Sequence, residues 1–235
     1  MTHSIIASFQ NGCIVSCQAL EDEPLYGSDI MAAMAKAAEQ GGAVGIRANT
    51  PADIRAIKQV TKLPVIGLYK KNYPGSDVYI TPTMNEIREV IAAGADIVAL
   101  DATKQARPGG VTLKQLFQQI REEYPHILIL ADVSVYEEGV YAMDLGADLV
   151  STTLSGYTPY SPQQKDPDID LVARLAALNR TPILAEGRIW TVEQCQESLQ
   201  QGAYAVIIGS AITRPQEITK RFVSCIQELK PLPKG

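Results

Sequence analysis

Five ionisable side chains close five apolar runs. Arg47 follows "VGI", Lys70 follows "PVIGLY", Asp101 follows "IVAL", Asp132 follows "ILILA" and Glu186 follows "PILA". Gln18, the pair Thr152 and Thr153, and Gly209 with Ser210 end three further runs of the same kind. Burying a charge is costly unless it is paired, so stability alone does not ask for these residues. An amine and a carboxylate in a water-poor mouth are candidate acid/base groups. Burial drives a lysine towards neutrality, and a nearby carboxylate opposes that shift. Lys70 and Glu186 are the leading pair of this kind. Such a pair can move a proton on and off carbon next to a carbonyl. A structural salt-bridge network among the five is the alternative reading.

A second signal lies near the end of the chain. "EGR" (Glu186 to Arg188) and "GSAITRP" (Gly209 to Pro215) each place glycine directly after an apolar run. Glycine there lets backbone N–H groups approach an anion. Arg214 opens the helix that follows and can add charge-assisted bonds to a phosphate. Gly187, Gly209, Ser210 and Arg214 are therefore the candidate phosphate-binding residues. The two signals together indicate an enzyme for a small phosphorylated substrate.

The elements that must hold these residues are visible as a repeat. "EQGGAVGIRAN", "AAGADIVALDAT", "DLGADLVSTT" and "QQGAYAVIIGSAIT" each join a helix end, glycine and a short apolar strand. Gly42, Gly94, Gly146 and Gly202 recur at roughly fifty residues, room for two βα units each. The intervening strands are "PVIGLYK" (64–70), "ILILADV" (127–133) and "PILAEG" (182–187), with "CIVSCQAL" (13–20) as the first. Nearly continuous Val, Ile and Leu is the pattern of strands buried on both faces. Eight helical segments alternate with them, from "SDIMAAMAKAAEQ" with Ser28 as its cap to "RPQEITKRFVSCIQELK". Thr50 and Pro51 start one of these helices in the expected way. Eight strands alternating with eight helices predict an α/β fold, a (β/α)8 TIM barrel of one domain over residues 1–235. An open doubly wound sheet is the second choice. In such barrels the working residues stand at the C-terminal strand ends, and phosphate sits after strands seven and eight. Asp96 and Asp148 fall at strand starts, the stability face. Lys71 reads as solvated, and Lys104 and Arg107 as either loop charges or rim contacts, the loop being favoured.

Composition narrows the partners. A net charge of −5 and a pI near 5.1 argue against general binding to nucleic acid or acidic membranes. No apolar stretch is long enough to span a bilayer, and the N-terminal residues do not read as a signal peptide. Cys13, Cys17, Cys195 and Cys225, with only two histidines, lack zinc-site spacing and read as reduced cysteines of a cytoplasmic protein. No strand is followed by the dinucleotide-binding G-x-G-x-x-G. No metal site is expected.

"VSCQAL", "GIRAN", "PVIGLYK", "ALDAT", "LADVS", "STTLSGYT", "LAEGRI" and "GSAITRP" together resemble the bacterial N-acetylmannosamine-6-phosphate 2-epimerases, from about Gly12 to Phe222. The resemblance implies interconversion of N-acetylmannosamine 6-phosphate and N-acetylglucosamine 6-phosphate in sialic-acid breakdown, without cofactor or metal. By motif match it implies Lys70 as catalytic lysine and Glu186 as its partner carboxylate. It implies substrate contacts from Gln18, Arg47, Asp132 and Thr153, and phosphate contacts from Arg214, Gly187, Gly209 and Ser210. It also implies a cytoplasmic homodimer, to which the apolar final helix "ITKRFVSCIQEL" is suited. Two other functions stay open on the residues. A lysine near a phosphate site also suits a Schiff-base lyase, and a non-catalytic phosphosugar-binding barrel would use the same anion site. A metal-dependent sugar-phosphate epimerase would want His and Asp ligands, which the strand ends do not offer.

Overall fold

A computed structural model describes residues 2–228. The end of the expected last helix, Leu229 and Lys230, lies outside the described residues, as does the side chain of His3. Eight strands form a closed, all-parallel barrel in chain order. They are β1 (Cys13–Cys17), β2 (Gly45–Asn49), β3 (Val65–Leu68), β4 (Ile97–Asp101), β5 (Leu128–Asp132), β6 (Leu149–Ser151), β7 (Ile183–Glu186) and β8 (Ala205–Ile208). Pairing of β1 with β8 closes the ring.

Helices wrap the barrel: α2 (Ser28–Gln40), α3 (Pro51–Val60), α4 (Met84–Ala92), α5 (Leu113–Glu123), α6 (Tyr136–Asp144), α7 (Ile169–Ala176) and α8 (Val192–Gln200). Local chemistry fixes several starts. Thr83, Thr112 and Thr191 each form a capping box with the Glu or Gln three residues on. Thr50 accepts from the Asp53 N–H, with Pro51 in the first turn of α3. The expected Ser28 cap is corrected: Gly27 holds the cap position, and the Ser28 hydroxyl donates instead to Asp53 at 2.7 Å.

Period-2 alternation splits the core in two. One set of strand side chains, with Val15, Ile46, Val65, Val98, Ile129 and Ile183, packs outward on the helices. The other, with Ile14, Ile66, Ile97, Leu128, Leu149, Leu184 and Ile207, fills the barrel. The N-terminal end of the barrel is plugged by a helix absent from the expectation, α1 (Thr2–Ser8), and by the fully buried Phe9. Gly45 opens β2 because the Phe9 ring takes its side-chain space: a Cβ there would lie 2.7 Å from the ring. As expected, Asp96 and Asp148 serve the same end. Each carboxylate ties the first strand residues to a helix cation, Lys58 for Asp96 and Arg121 for Asp148. After β8 come a short α9 (Ser210–Thr213) and α10 (Pro215–Gln227), and none of the 13 residues of α10 is buried.

Candidate active site

The inward parity that packs the barrel interior carries on to its C-terminal end. There the apolar series gives way to Ser16, Arg47, Asp101, Asp132, Ser151 and Glu186. The next inward positions are Gln18, Asn49, Lys70, Thr153 and Gly209. The ladder pairs Ser16 with Arg47, Asp101 with Asp132, and Asp132 with Ser151, so these groups form neighbouring columns.

Arg47 is the hub. Its guanidinium is buried and grips Asp132 at both ends, Nη1 to Oδ1 at 2.9 Å and Nη2 to Oδ2 at 2.6 Å. The same Nη1 donates to Glu186 Oε2 at 2.7 Å. Burial works against its charge, but Asp132 and Glu186 outweigh burial and hold it charged above its ordinary range. Thr153 Oγ1 lies 2.7 Å from Asp132 Oδ1, 2.8 Å from Glu186 Oε2 and 2.8 Å from Ser151 Oγ. An ion-pair network at the mouth therefore exists, but Lys70 stands outside it.

Above this layer opens a cavity of about 300 Å³, large enough for a small phosphorylated sugar. Gln18, Arg47, Lys70, Thr153, Glu186 and Arg214 all line it, as do Gly187, Gly209 and Ser210. Lys70 is pushed down to about 8, first by burial and then by the nearby Arg47 and Arg214; Glu186 and Glu23 resist. Glu186 is moved up. Burial comes first and the Asp132 charge adds to it, while Arg47, Lys70 and a Thr153 hydroxyl turned to donate to Glu186 oppose. The two groups are thus driven towards each other's proton affinity, the condition for passing protons at neutral pH. Gln18 reaches Ser16 Oγ through its Nε2 at 2.8 Å, while its buried Oε1 has no protein partner.

The residues expected to meet a phosphate line the same cavity. Gly187, at φ 109°, turns the chain after β7. Arg188 follows at φ 60°, a left-handed conformation held by its own bonds to the Ser155 and Asp166 carbonyls. Arg214 is clamped by Glu23 in a two-point pair, Nε to Oε1 at 2.8 Å and Nη2 to Oε2 at 2.9 Å.

Ten expected site residues are thus gathered at one barrel end, with one difference in depth. Asp132 is wholly buried and lines no part of the cavity. Arg47 and Thr153 stand between it and the cavity, so it reaches a ligand only through them. Arg107 corrects an expectation. It is no solvated loop charge but is buried, 4.0 Å from Asp101, with Nη1 towards the Pro82 carbonyl. Burial pushes Asp101 up to about 6. Lys104 does stay on the loop, its ammonium 3.9 Å from the Tyr160 ring centre. Lys71 is half exposed and pairs with Glu86 at 3.3 Å. The wall residues Tyr79, Tyr157, Arg188 and Trp190, and the clamp Glu23, were not singled out from sequence. Arg188 and Tyr157 lay within the quoted "EGR" and "SGYT"; Tyr79 and Glu23 sit in loops with no strand-end signal.

A closed parallel barrel with Arg47, Lys70, Glu186 and Arg214 around a cavity at its C-terminal mouth defines a class: barrel enzymes with their site at the strand ends. The chain belongs, within that class, to the N-acetylmannosamine-6-phosphate 2-epimerase family. The family model described as "Putative N-acetylmannosamine-6-phosphate epimerase" matches residues 31–228. A protein from Caldanaerobacter subterraneus subsp. tengcongensis named "Putative N-acetylmannosamine-6-phosphate 2-epimerase" is 60% identical over 228 residues, 97% of this chain and 96% of that protein. A Listeria monocytogenes relative of the same name is 47% identical over 232 residues, 98% of each chain. The solved N-acetylmannosamine-6-phosphate 2-epimerase of Clostridium perfringens superposes with a TM-score of 0.91 at 49% identity, covering 94% of this chain and 96% of that one. A thiamine phosphate pyrophosphorylase from Pyrococcus furiosus, at 16% identity and a TM-score of 0.61, shares the fold alone.

Proposed function

We propose that this chain interconverts N-acetylmannosamine 6-phosphate and N-acetylglucosamine 6-phosphate, as an isomerase of sialic-acid breakdown. Inverting C2 requires breaking a C–H bond next to C1. In the sugar ring C1 is not a carbonyl, so the open-chain aldehyde is the reacting form. Removal of the C2 proton gives an enolate-like intermediate, and return of a proton to the other face inverts the centre. Lys70 and Glu186 carry these transfers and share one proton between them. Arg47, held charged by Asp132, steadies the developing oxyanion. Gln18 presents an unsatisfied acceptor to a substrate N–H or O–H. Arg214, Ser210 and the backbone at Gly187 and Gly209 hold the phosphate, and that remote binding orients C2.

The observation that carries this reading is the opposed shift of Lys70 and Glu186 in a cavity that Arg214, Gly187, Gly209 and Ser210 also line. The test is incubation with N-acetylmannosamine 6-phosphate in D₂O with chelator present, following C2 by proton NMR. Deuterium entering C2 as the gluco epimer forms is the expected result. Binding without exchange or epimer would overturn the proposal in favour of a phosphosugar-binding protein. Borohydride trapping of a substrate adduct on Lys70 would favour a lyase.

The working form in this proposal is a cytoplasmic homodimer. Its support is the unburied α10, where Phe222 and Ile226 are about two-thirds exposed.

A further inference from the structure

Thr153 Oγ1 stands at hydrogen-bond distance from two carboxylate oxygens, Asp132 Oδ1 and Glu186 Oε2, and from Ser151 Oγ, and it accepts a longer N–H from Arg47 Nη1 at 3.4 Å. A threonine hydroxyl has one hydrogen to give, and an ionised carboxylate only accepts. If both acids were ionised, one of these two contacts would set lone pair against lone pair at under 3 Å. One extra proton on either acid removes the conflict.

The geometry says which acid takes it. Asp132 receives an Arg47 N–H on each of its oxygens, the fork-to-fork pairing of an ionised carboxylate. The Arg47, Thr153 and Ser151 contacts to Glu186 all fall on Oε2. Arg47 supplies one positive charge to the two acids, and no second cation stands within ion-pair distance of Glu186 among the described residues. A neutral Glu186 leaves a buried ion pair with no excess charge. Its hydrogen then points at Thr153, and the Thr153 hydrogen points at Asp132.

We propose that Thr153 is a positioning residue that keeps Glu186 protonated in the resting site by accepting its hydrogen and passing its own to Asp132. The proposal rests on the acid/base role given to Glu186 above. It makes Glu186 the group that gives a proton to C2 when Lys70 starts as the neutral amine. Once Glu186 has given that proton up, the conflict at Thr153 returns and favours its recovery. No proton travels through Thr153; its hydroxyl only sets the balance.

The groups facing Glu186 are Arg47 from β2, Lys70 beyond β3, Asp132 from β5, and Ser151 and Thr153 at the end of β6. Tyr79, whose phenol burial pushes up to about 12, stands near Arg47 and Asp132 and stays neutral at working pH. A Thr153 that donates to Glu186 would lower its proton affinity; one that accepts from it raises it. The opposite signs make the test.

The first measurement is infrared difference spectroscopy of the whole protein at neutral pH, comparing wild type with Glu186→Gln. A protonated-carboxyl C=O band present in wild type and lost in Glu186→Gln is expected. Thr153→Val, which keeps the shape and removes the hydroxyl, should lose that band, and Thr153→Ser should keep it. In turnover, Thr153→Val should lower kcat about tenfold with little change in KM, and Thr153→Ser should recover it. The acid limb of kcat/KM in Thr153→Val should move to lower pH. Absence of the band in wild type, or its persistence in Thr153→Val with an acid limb moved up, would overturn the proposal. The infrared result does not depend on epimerase activity, so it stands or falls apart from the functional reading. Melting temperatures of both variants report folding, and a Thr153→Val protein that does not fold leaves the wild-type band and Thr153→Ser to decide.

Discussion

At the scale of single residues, the proposed chemistry depends on making two unlike groups alike. A lysine moved down to about 8 and a glutamate moved up can exchange the roles of acid and base without leaving neutral pH. If they share one proton, the active enzyme is the form holding one proton between them. Below the lower of the pair's two apparent pKa values it holds two protons and no base is left. Above the higher it holds none and no acid is left. A bell-shaped kcat/KM profile follows, with two limbs that belong to the pair and bracket the pH range in which it holds one proton. Rates measured across pH in both directions should show the same two limbs. The same shift has a stability sign. The folded Lys70 binds its proton less tightly than the unfolded one, so its unfavourable burial is fully present below about 8 and fades as pH rises towards the ordinary lysine value of 10.5. Lys70→Met should therefore abolish turnover and raise stability at neutral pH by about 1 kcal/mol, read by denaturant melts. A loss of stability would mean that the ammonium is well paired.

At the scale of elements, each strand delivers one inward chemical position and each following turn adjusts it. The turn after β7 is the most constrained. Gly187 sits at φ 109°, a conformation that side chains with a Cβ rarely adopt, and next to it Arg188 is already left-handed. Gly187→Ala should strain this turn and displace the N–H offered to phosphate. The expected result is a KM for the phosphosugar raised about tenfold or more, with the unphosphorylated sugar unaffected in its weak binding. Isothermal titration of both ligands checks it; equal loss for the two would show that Gly187 serves the strand end rather than the anion. This element-level logic also explains what was legible in sequence. Strands buried on both faces leave an unbroken apolar run, so the charge that ends each run stands out, and Arg47, Lys70, Asp132 and Glu186 could be found that way. Parity along a strand does not report depth. Asp132 and Glu186 look equivalent in sequence, but Arg47 and Thr153 close over the first and leave the second at the cavity. Glu23 and Tyr79 were invisible for another reason. Their loops have no period, and what they touch is decided by long-range packing, as in the pairing of Glu23 with Arg214 across the β1–β8 seam. The helix α1 was missed because its apolar residues Ile5 and Ile6, with Phe9, make too short a stretch to carry a helical period; their purpose is a plug that only a closed barrel creates.

At the scale of the whole molecule, the two barrel ends divide the labour and α10 stands apart from both. The N-terminal end is sealed by Phe9 and pinned by Asp96 and Asp148, and the C-terminal end holds the chemistry. In the outer helices from α2 to α7 one face is buried against the barrel, and α8 buries Ser198 with Cys195 and Leu199 half-buried beside it. In α10 every residue from Thr219 to Gln227 is exposed. Ile218, Phe222 and Ile226, spaced four apart, form one apolar stripe with Val223 beside it, and Ile212 and Val192 are exposed on the nearby α9 and α8. A helix of this length is marginal in water without tertiary contacts, and a stripe of this kind marks an interaction face. A second copy of the chain presents the same stripe, and a two-fold pairing would bury both. The side-chain ties of α10 to the rest of the barrel are, among the described residues, at its near end, Gln216 to Glu23 at 3.2 Å, and at Arg221, stacked 4.3 Å from the Trp190 ring centre. Phe222→Asp combined with Ile226→Asp should therefore give a folded monomer, seen by sedimentation velocity, where the wild type sediments as a dimer at micromolar concentration. Because Trp190 lines the cavity and Arg214 begins just before α10, loss of the partner should also loosen the phosphate end and raise KM more than it lowers kcat. A wild type that stays monomeric at those concentrations would remove the dimer, and α10 would then need a different partner to cover it.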